Sequence, residues 1–341
     1  MALDGSLGQD AAVGALRALL CSGRLPHALL FLGAEGTGRL ATARELAAVL
    51  ACTGDAAPDA SCDQCPGCRL MAQGRHPDYS EVGVAEGRQS VSIETVRETQ
   101  HLAALKPVMS ERRVFVIRDA ERLSLDAANC LLKTLEEPPG TSLFILLASS
   151  LRDIPPTITS RCRLMRFRNL PLDALQARLE AEGRPAEEAH WLALRSWGSP
   201  GLARRLQQMD MYALHRRLAD AVARMSLEDN FDLSDLLNGA ATAAGGSATE
   251  ARQVLQDLLE CIAMLYRDLA LAAACGGDAD PCTDELPPGV REMASGRTPE
   301  FFLAQADLVL EAIERIGSNA NRQITLDNLF TQLALATQGA A

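Results

Sequence analysis

Continuous apolar runs of strand length punctuate the first half of the chain. Ala28-Leu-Leu-Phe-Leu32, Arg113-Val-Phe-Val-Ile117 and Leu143-Phe-Ile-Leu-Leu-Ala148 read as buried strands, the pattern of an α/β sheet covered on both faces. Leu40–Leu50 is rich in Ala and Leu and predicts a helix. Ser124 caps a second helix that runs to Glu137 and stops at Pro138-Pro139. In Arg163–Arg168 the arginines at 166 and 168 fall at period two, as on the wet face of an edge strand.

The second half has a different rhythm. Leu170 to about Gln208 predicts short helices, and from Met209 onward the chain is helical and interrupted. Gly239–Ser247 and Cys275–Pro281 read as loops or linkers. Glu250–Ala274 and Pro299–Ile316 show helical apolar spacing, and a last helix carries Leu326, Leu329, Phe330 and Leu333. Nothing in this half assembles a catalytic constellation, so its plain reading is a helical bundle.

Bulk properties narrow the function. A chain of 341 residues suggests two or three domains at ~150 residues each. Its net charge of −11 argues against DNA binding by bulk electrostatics alone, while leaving room for a local basic face. No apolar run reaches membrane-spanning length and no basic-then-apolar leader opens the sequence, so a cytoplasmic protein is expected. Only two of the 33 basic side chains are lysine, Lys106 and Lys133. Lys-to-Arg exchange is therefore a habit of this sequence.

That habit matters at Gly33-Ala-Glu-Gly-Thr-Gly38-Arg39-Leu40. The spacing is that of a phosphate-cradling P-loop between strand and helix, in which a Lys reaches the outer phosphates and a hydroxyl holds Mg²⁺. Arg39 stands at the Lys position, which composition could explain. Leu40 stands at the hydroxyl position, and a hydrocarbon cannot ligate a hard cation. The alternative is a Gly-rich turn without a ligand. After the strand at 113–117, Arg118 takes the first place where an acidic residue would support Mg²⁺. Asp119 and Glu121 nearby read as a solvated strand end.

The chain has ten cysteines. Cys52, Cys62, Cys65 and Cys68 form C-x9-C-x2-C-x2-C with turn-forming spacers, a tetrahedral set of soft ligands suited to structural Zn²⁺. An iron–sulfur arm is the rival, but Ala72 stands where its next Cys would be. A redox C-x-x-C is the other. Cys21, Cys130 and Cys261 read as small core residues, and Cys275 and Cys282 as loop residues. On residue type alone, Arg161 in Ser160-Arg161-Cys162 is a surface arginine.

Taken together, several segments resemble the bacterial clamp-loader branch of the AAA+ ATPases. They are Leu25-Pro-His27, Gly33–Arg39, the Cys cluster, Arg75-His-Pro-Asp78, Leu131-Leu-Lys-Thr-Leu-Glu-Glu-Pro-Pro139 and Ser160-Arg-Cys162, covering roughly the first 170 residues. The resemblance implies a RecA-like α/β AAA+ domain over 1–168 with a zinc-knuckle insertion at about 52–75. A helical lid over 169–208 and an all-α collar over 209–341 would follow. It implies partners: gamma/tau and delta subunits of DNA polymerase III, the sliding clamp, and primer–template DNA through the complex. It implies that Arg161 is an arginine finger acting in trans on a neighbour's ATP. Gly201 lies where active members carry a sensor Arg, and Ser149 or Ser150 lies at the sensor 1 position. With Gly33, Gly38 and Arg39 as a degenerate loop, little intrinsic ATPase is expected, and ATP or Mg²⁺ retention is in question. The rivals are a competent gamma-like ATPase and a zinc-dependent nucleic-acid binder. Direct DNA contact through Lys106, Arg112 and Arg113 is set against a plain strand approach.

Overall fold

The computed structural model describes residues 8–85, 88, 90–223, 230–244, 248–275, 293, 294, 296–318 and 320–339. They form two compact units, one of residues 1–184 with 193–204 and one of 185–192 with 205–341.

The first unit is built on five parallel strands: β1 (Ala28–Leu32), β2 (Tyr79–Val82), β3 (Arg113–Ile117), β4 (Ser142–Ala148) and β5 (Arg163–Arg166), in the order β2-β3-β4-β1-β5. The apolar runs are continuous because alternate residues enter different cores. Leu29, Phe31, Val114, Val116, Ile145 and Leu147 face one layer, with α1 (Asp10–Cys21) and α2 (Arg39–Ala51). Leu30, Phe115, Ile117, Phe144 and Leu146 face the other, with α4 (Ile93–Ala103) and α5 (Leu125–Glu136). A short α3 (Pro66–Ala72) lies between α2 and β2. The strands at 28–32, 113–117 and 143–148 thus fall where the apolar pattern puts them. At the sheet edge, Met165 and Phe167 are buried while Arg166 and Arg168 are exposed, the expected alternation.

Ser124 caps α5, its hydroxyl accepting from the Ala127 N–H at 3.2 Å. After β4, a one-turn helix α6 (Pro156–Thr159) leads to β5, and α7 (Leu172–Ala181), α8 (Ala186–Arg195) and α9 (Pro200–Gln208) follow.

The second unit is all helical in its described residues: α10 (Met211–Ala223), α11 (Asn230–Ala244), α12 (Ala248–Cys275), α13 (Pro299–Gly317) and α14 (Arg322–Gly339). Its core draws on Leu255, Leu258, Ile262 and Leu269 of α12, Phe302, Val309 and Ile316 of α13, and Leu326, Phe330 and Leu333 of α14. Residues 239–244, expected as loop, are helical instead. Gly239 costs a helix about 1 kcal/mol relative to Ala, and the alanines after it, with Ala241 fully buried, carry α11 through. Cys275 is likewise the last residue of α12 rather than a loop residue. Residues 245–247, 276–281 and Cys282, which entered the loop expectations, lie outside the described residues.

Candidate functional site

The strand register brings three carboxyl ends together. Leu32 pairs with Ala148 and Ile117 with Leu146, so Gly33, Arg118 and Ser149 all leave the same end of the sheet. Gly33 N–H donates to the Ala148 carbonyl at 3.0 Å. Gly38 sits at the N-cap of α2 with φ +94°, a left-handed turn that lets the loop enter the helix. The P-loop spacing therefore does fold as strand, loop and helix.

The chemistry around that loop differs from what a nucleotide site needs. Leu40 packs partly buried against the α1–α2 core. Arg39 is half-buried. Burial lowers the pKa of its guanidinium, opposed by the negative charges of Glu121, Glu35 and Asp119. Arg118 lies across Gly83, next to β2, where an added Cβ would meet its Nε at 3.0 Å. Glu121 is not a solvated strand-end acid. Its Oε1 accepts from the Ser149 backbone N–H at 3.1 Å and from the Ser149 hydroxyl, so the acid expected in solvent is tied to the end of β4.

The first turn of α9 closes over the loop. Gly201 N–H donates to the Gly36 carbonyl at 2.9 Å, and Ser199 Oγ donates to the Glu35 carbonyl at 3.0 Å. A Cβ on Gly201 would lie 2.7 Å from Gly36 Cα, and one on Gly36 2.3 Å from Ser199 Oγ. Backbone meets backbone only because both residues are glycine. The lack of a side chain at 201 is thus a packing requirement.

The four cysteines converge. Cys52 is the C-cap of α2, Cys62 lies in the turn before α3, Cys65 is the N-cap of α3, and Cys68 lies in its first turn. All four Sγ atoms lie within 4.8 Å of one another, with Cys62 and Cys68 at 3.9 Å. Tetrahedral Zn–S bonds of about 2.3 Å place sulfurs about 3.8 Å apart, so the set fits a zinc ion. Backbone N–H groups of Cys62, Cys65 and Cys68 point at Cys52, Cys62 and Cys65 sulfurs, at 3.3, 3.3 and 3.4 Å. Burial would raise the Cys65 pKa, but donation from Cys68 and Thr53 brings it to about 5. Burial pushes Cys68 up to about 12. Elsewhere, Cys261 is buried as expected, Cys130 is half-buried with its Sγ at 3.0 Å from Gln100 Oε1, and Cys21 is exposed at the end of α1.

Arg75-His-Pro-Asp78 makes a structural corner that sequence did not assign. The buried Asp78 carboxylate accepts from the N–H groups of Val108, Met109 and Ser110 at 2.7, 2.7 and 3.0 Å, and pairs with Arg113 Nη2 at 3.3 Å. Burial alone would raise its pKa; the three backbone donors bring it down to about 2. Arg113 is buried, and its Nη1 donates to the Leu102 carbonyl. Arg112 Nη1 donates to the Leu25 carbonyl. Arg113 is committed to the fold, as the plain strand approach requires.

Arg161 stands apart from the loop. It precedes β5, whose Arg163 pairs with Leu29 near the start of β1, whereas the P-loop follows the other end of β1. Arg161 is about one-third exposed and pairs with Glu136 Oε1 at 2.5 Å.

A family model described as DNA polymerase III, delta subunit, matches residues 8–171. The DNA polymerase III delta′ subunit of Pseudomonas aeruginosa is 33% identical over 204 residues, 58% of this chain and 61% of that one. The delta′ subunit of Escherichia coli K12 is 35% identical over 203 residues, 59% and 60% of the two chains. The match thus spans about three-fifths of those two relatives. The delta′ subunit of Bacillus subtilis is 27% identical over 316 residues, 91% of each chain. A gamma-subunit-related protein of Thermotoga maritima aligns over 94% of this chain and 99% of its own at 16% identity, with a TM-score of 0.40. By the family model and three delta′ subunits, this chain is similar in sequence to DNA polymerase III delta′ subunits.

Proposed function

We propose that this chain is a clamp-loader subunit of DNA polymerase III, working with gamma/tau and delta subunits to place the sliding clamp on primed DNA. It hydrolyses little ATP itself and lends Arg161 to a neighbour's ATP site. The observation that carries this reading is the strand register. Five residues of β1 at about 3.3 Å each separate the start of the sheet, near Arg161, from the phosphate loop at its end. A guanidinium on that side cannot serve its own loop, and a positive charge at a neighbour's phosphates is what an arginine finger supplies.

Three further features support the assignment. Leu40 in the core, Arg118 beside Gly83 and Gly201 against Gly36 each remove a different part of a working nucleotide site. The lid reading covers 169–208 and the collar reading 209–341. Leu303 and Leu310, seven residues apart on α13, are each half-exposed, the kind of apolar stripe that a helical collar buries between subunits. Cys52, Cys62, Cys65 and Cys68 would hold a structural zinc, which closes its own coordination shell and leaves no position for catalysis.

Reconstitution with gamma and delta chains tests the whole reading. A stable hetero-oligomer by native mass, whose clamp- and DNA-stimulated ATPase requires this chain, is the expected result; assembly without it at full activity would remove the function. Metal analysis tests the knuckle separately. About one equivalent of zinc per chain is expected, and less than half an equivalent, or a brown iron–sulfur chromophore, would overturn the assignment.

A further inference from the structure

The pair of Arg161 and Glu136 carries an inference about how the finger is held. Glu136 is the last residue of α5. A carboxylate there faces the negative end of the helix dipole and the unclaimed carbonyls of the final turn, so it is disfavoured unless a cation answers it. Arg161 answers it, Nη2 to Oε1 at 2.5 Å. The guanidinium is held from its own side as well. Nη1 donates to the Thr157 carbonyl at 2.9 Å and to Ser160 Oγ at 3.3 Å. Both anchors rest on one core, since Leu131 and Leu135 of α5 and Ile158 of α6 are buried in the same cluster.

A guanidinium has five N–H donors. The three bonds use both hydrogens of Nη1 and one of Nη2. One on Nε and one on Nη2 remain, and two such donors match the oxygens of a phosphate.

We propose that Glu136 is a positioning residue for Arg161: it fixes the guanidinium against the α5–α6 corner while leaving two N–H groups uncommitted for the terminal phosphates of a nucleotide on the adjoining subunit. The inference rests on the trans-acting reading of Arg161. An exposed ion pair of this kind adds little to folding. Its removal therefore reads out in turnover, by letting a long side chain wander from the productive geometry.

The test uses the reconstituted complex with wild-type gamma and delta chains, at saturating clamp and primed DNA. Arg161→Ala should abolish most of the stimulated ATPase. Glu136→Ala and Glu136→Gln should lower kcat by about three- to tenfold with KM for ATP unchanged, while Glu136→Asp keeps most of the rate. The double variant Arg161→Ala/Glu136→Ala should be no slower than Arg161→Ala alone. Thermal melting of Glu136→Ala and Glu136→Gln should not fall, because a charge disfavoured at a helix end has been removed; a purely structural role would lower it. Wild-type turnover in Glu136→Ala beside a slow Arg161→Ala overturns the positioning role alone, as does faster turnover, which would make Glu136 a brake. Full turnover in Arg161→Ala overturns the finger and this inference together.

Discussion

The phosphate loop and the Arg161 corner began as comparable motifs on one sheet and are built in opposite ways. The loop has the backbone of a nucleotide site, but the start of α9 lies against it through Gly36 and Gly201, and Arg39 sits among Glu35, Asp119 and Glu121. The corner keeps an Arg with uncommitted donors near the surface. A motif is thus poor evidence for an activity until its surroundings are known. The loop turns β1 into α2, whereas the corner holds a guanidinium near the surface.

The sharpest way to break this contrast is Arg161→Ala in the reconstituted complex. A loss of about 10³-fold in stimulated ATP turnover is expected, the low end for an arginine finger, with melting unchanged. A loss below tenfold would return Arg161 to an ordinary surface residue. Next in size is Gly201→Arg, the side chain that the clamp-loader resemblance implies for active members at this position. Because even a Cβ would press on Gly36 at 2.7 Å, stability should drop by about 2–3 kcal/mol, read as a melting temperature lower by about 5 °C or more, without gain of ATP binding. Gain of nucleotide binding with unchanged melting would show that the closure is incidental. The smallest expected effect is a null one. About 1 mM Mg-ATP should leave the melting of the isolated chain unmoved, whereas a site with Kd of about 10 μM would add about 2.7 kcal/mol.

The same contrast explains what the sequence disclosed. β1, β3 and β4 were legible because burial on two faces leaves unbroken apolar runs, and α5 because Ser124 and Pro138 mark its ends. β2 was not, since Tyr79-Ser-Glu-Val is a short, half-buried edge strand in which Glu81 pairs with Arg44. Nor was α1, whose preceding Gln9 makes no cap but hydrogen-bonds Arg168 across the fold. The Cys spacing announced its own convergence because local turns set it. Asp78, by contrast, gathers donors from residues 108–110, and Gly201 meets Gly36 from far along the chain. Such contacts leave no periodic trace, and neither did the pairing of Glu136 with Arg161.

Helix α2 runs between two caps, Gly38 of the glycine-rich loop and Cys52, the first cysteine of the cluster. Thirteen residues at 1.5 Å each make a rod of about 20 Å. A metal held by Cys52 would fasten the far end of the very helix that the loop starts. The cysteine cluster would then be less an appendage than an end-fitting: it would fix the length and direction of a strut whose other end is the glycine-rich turn out of β1.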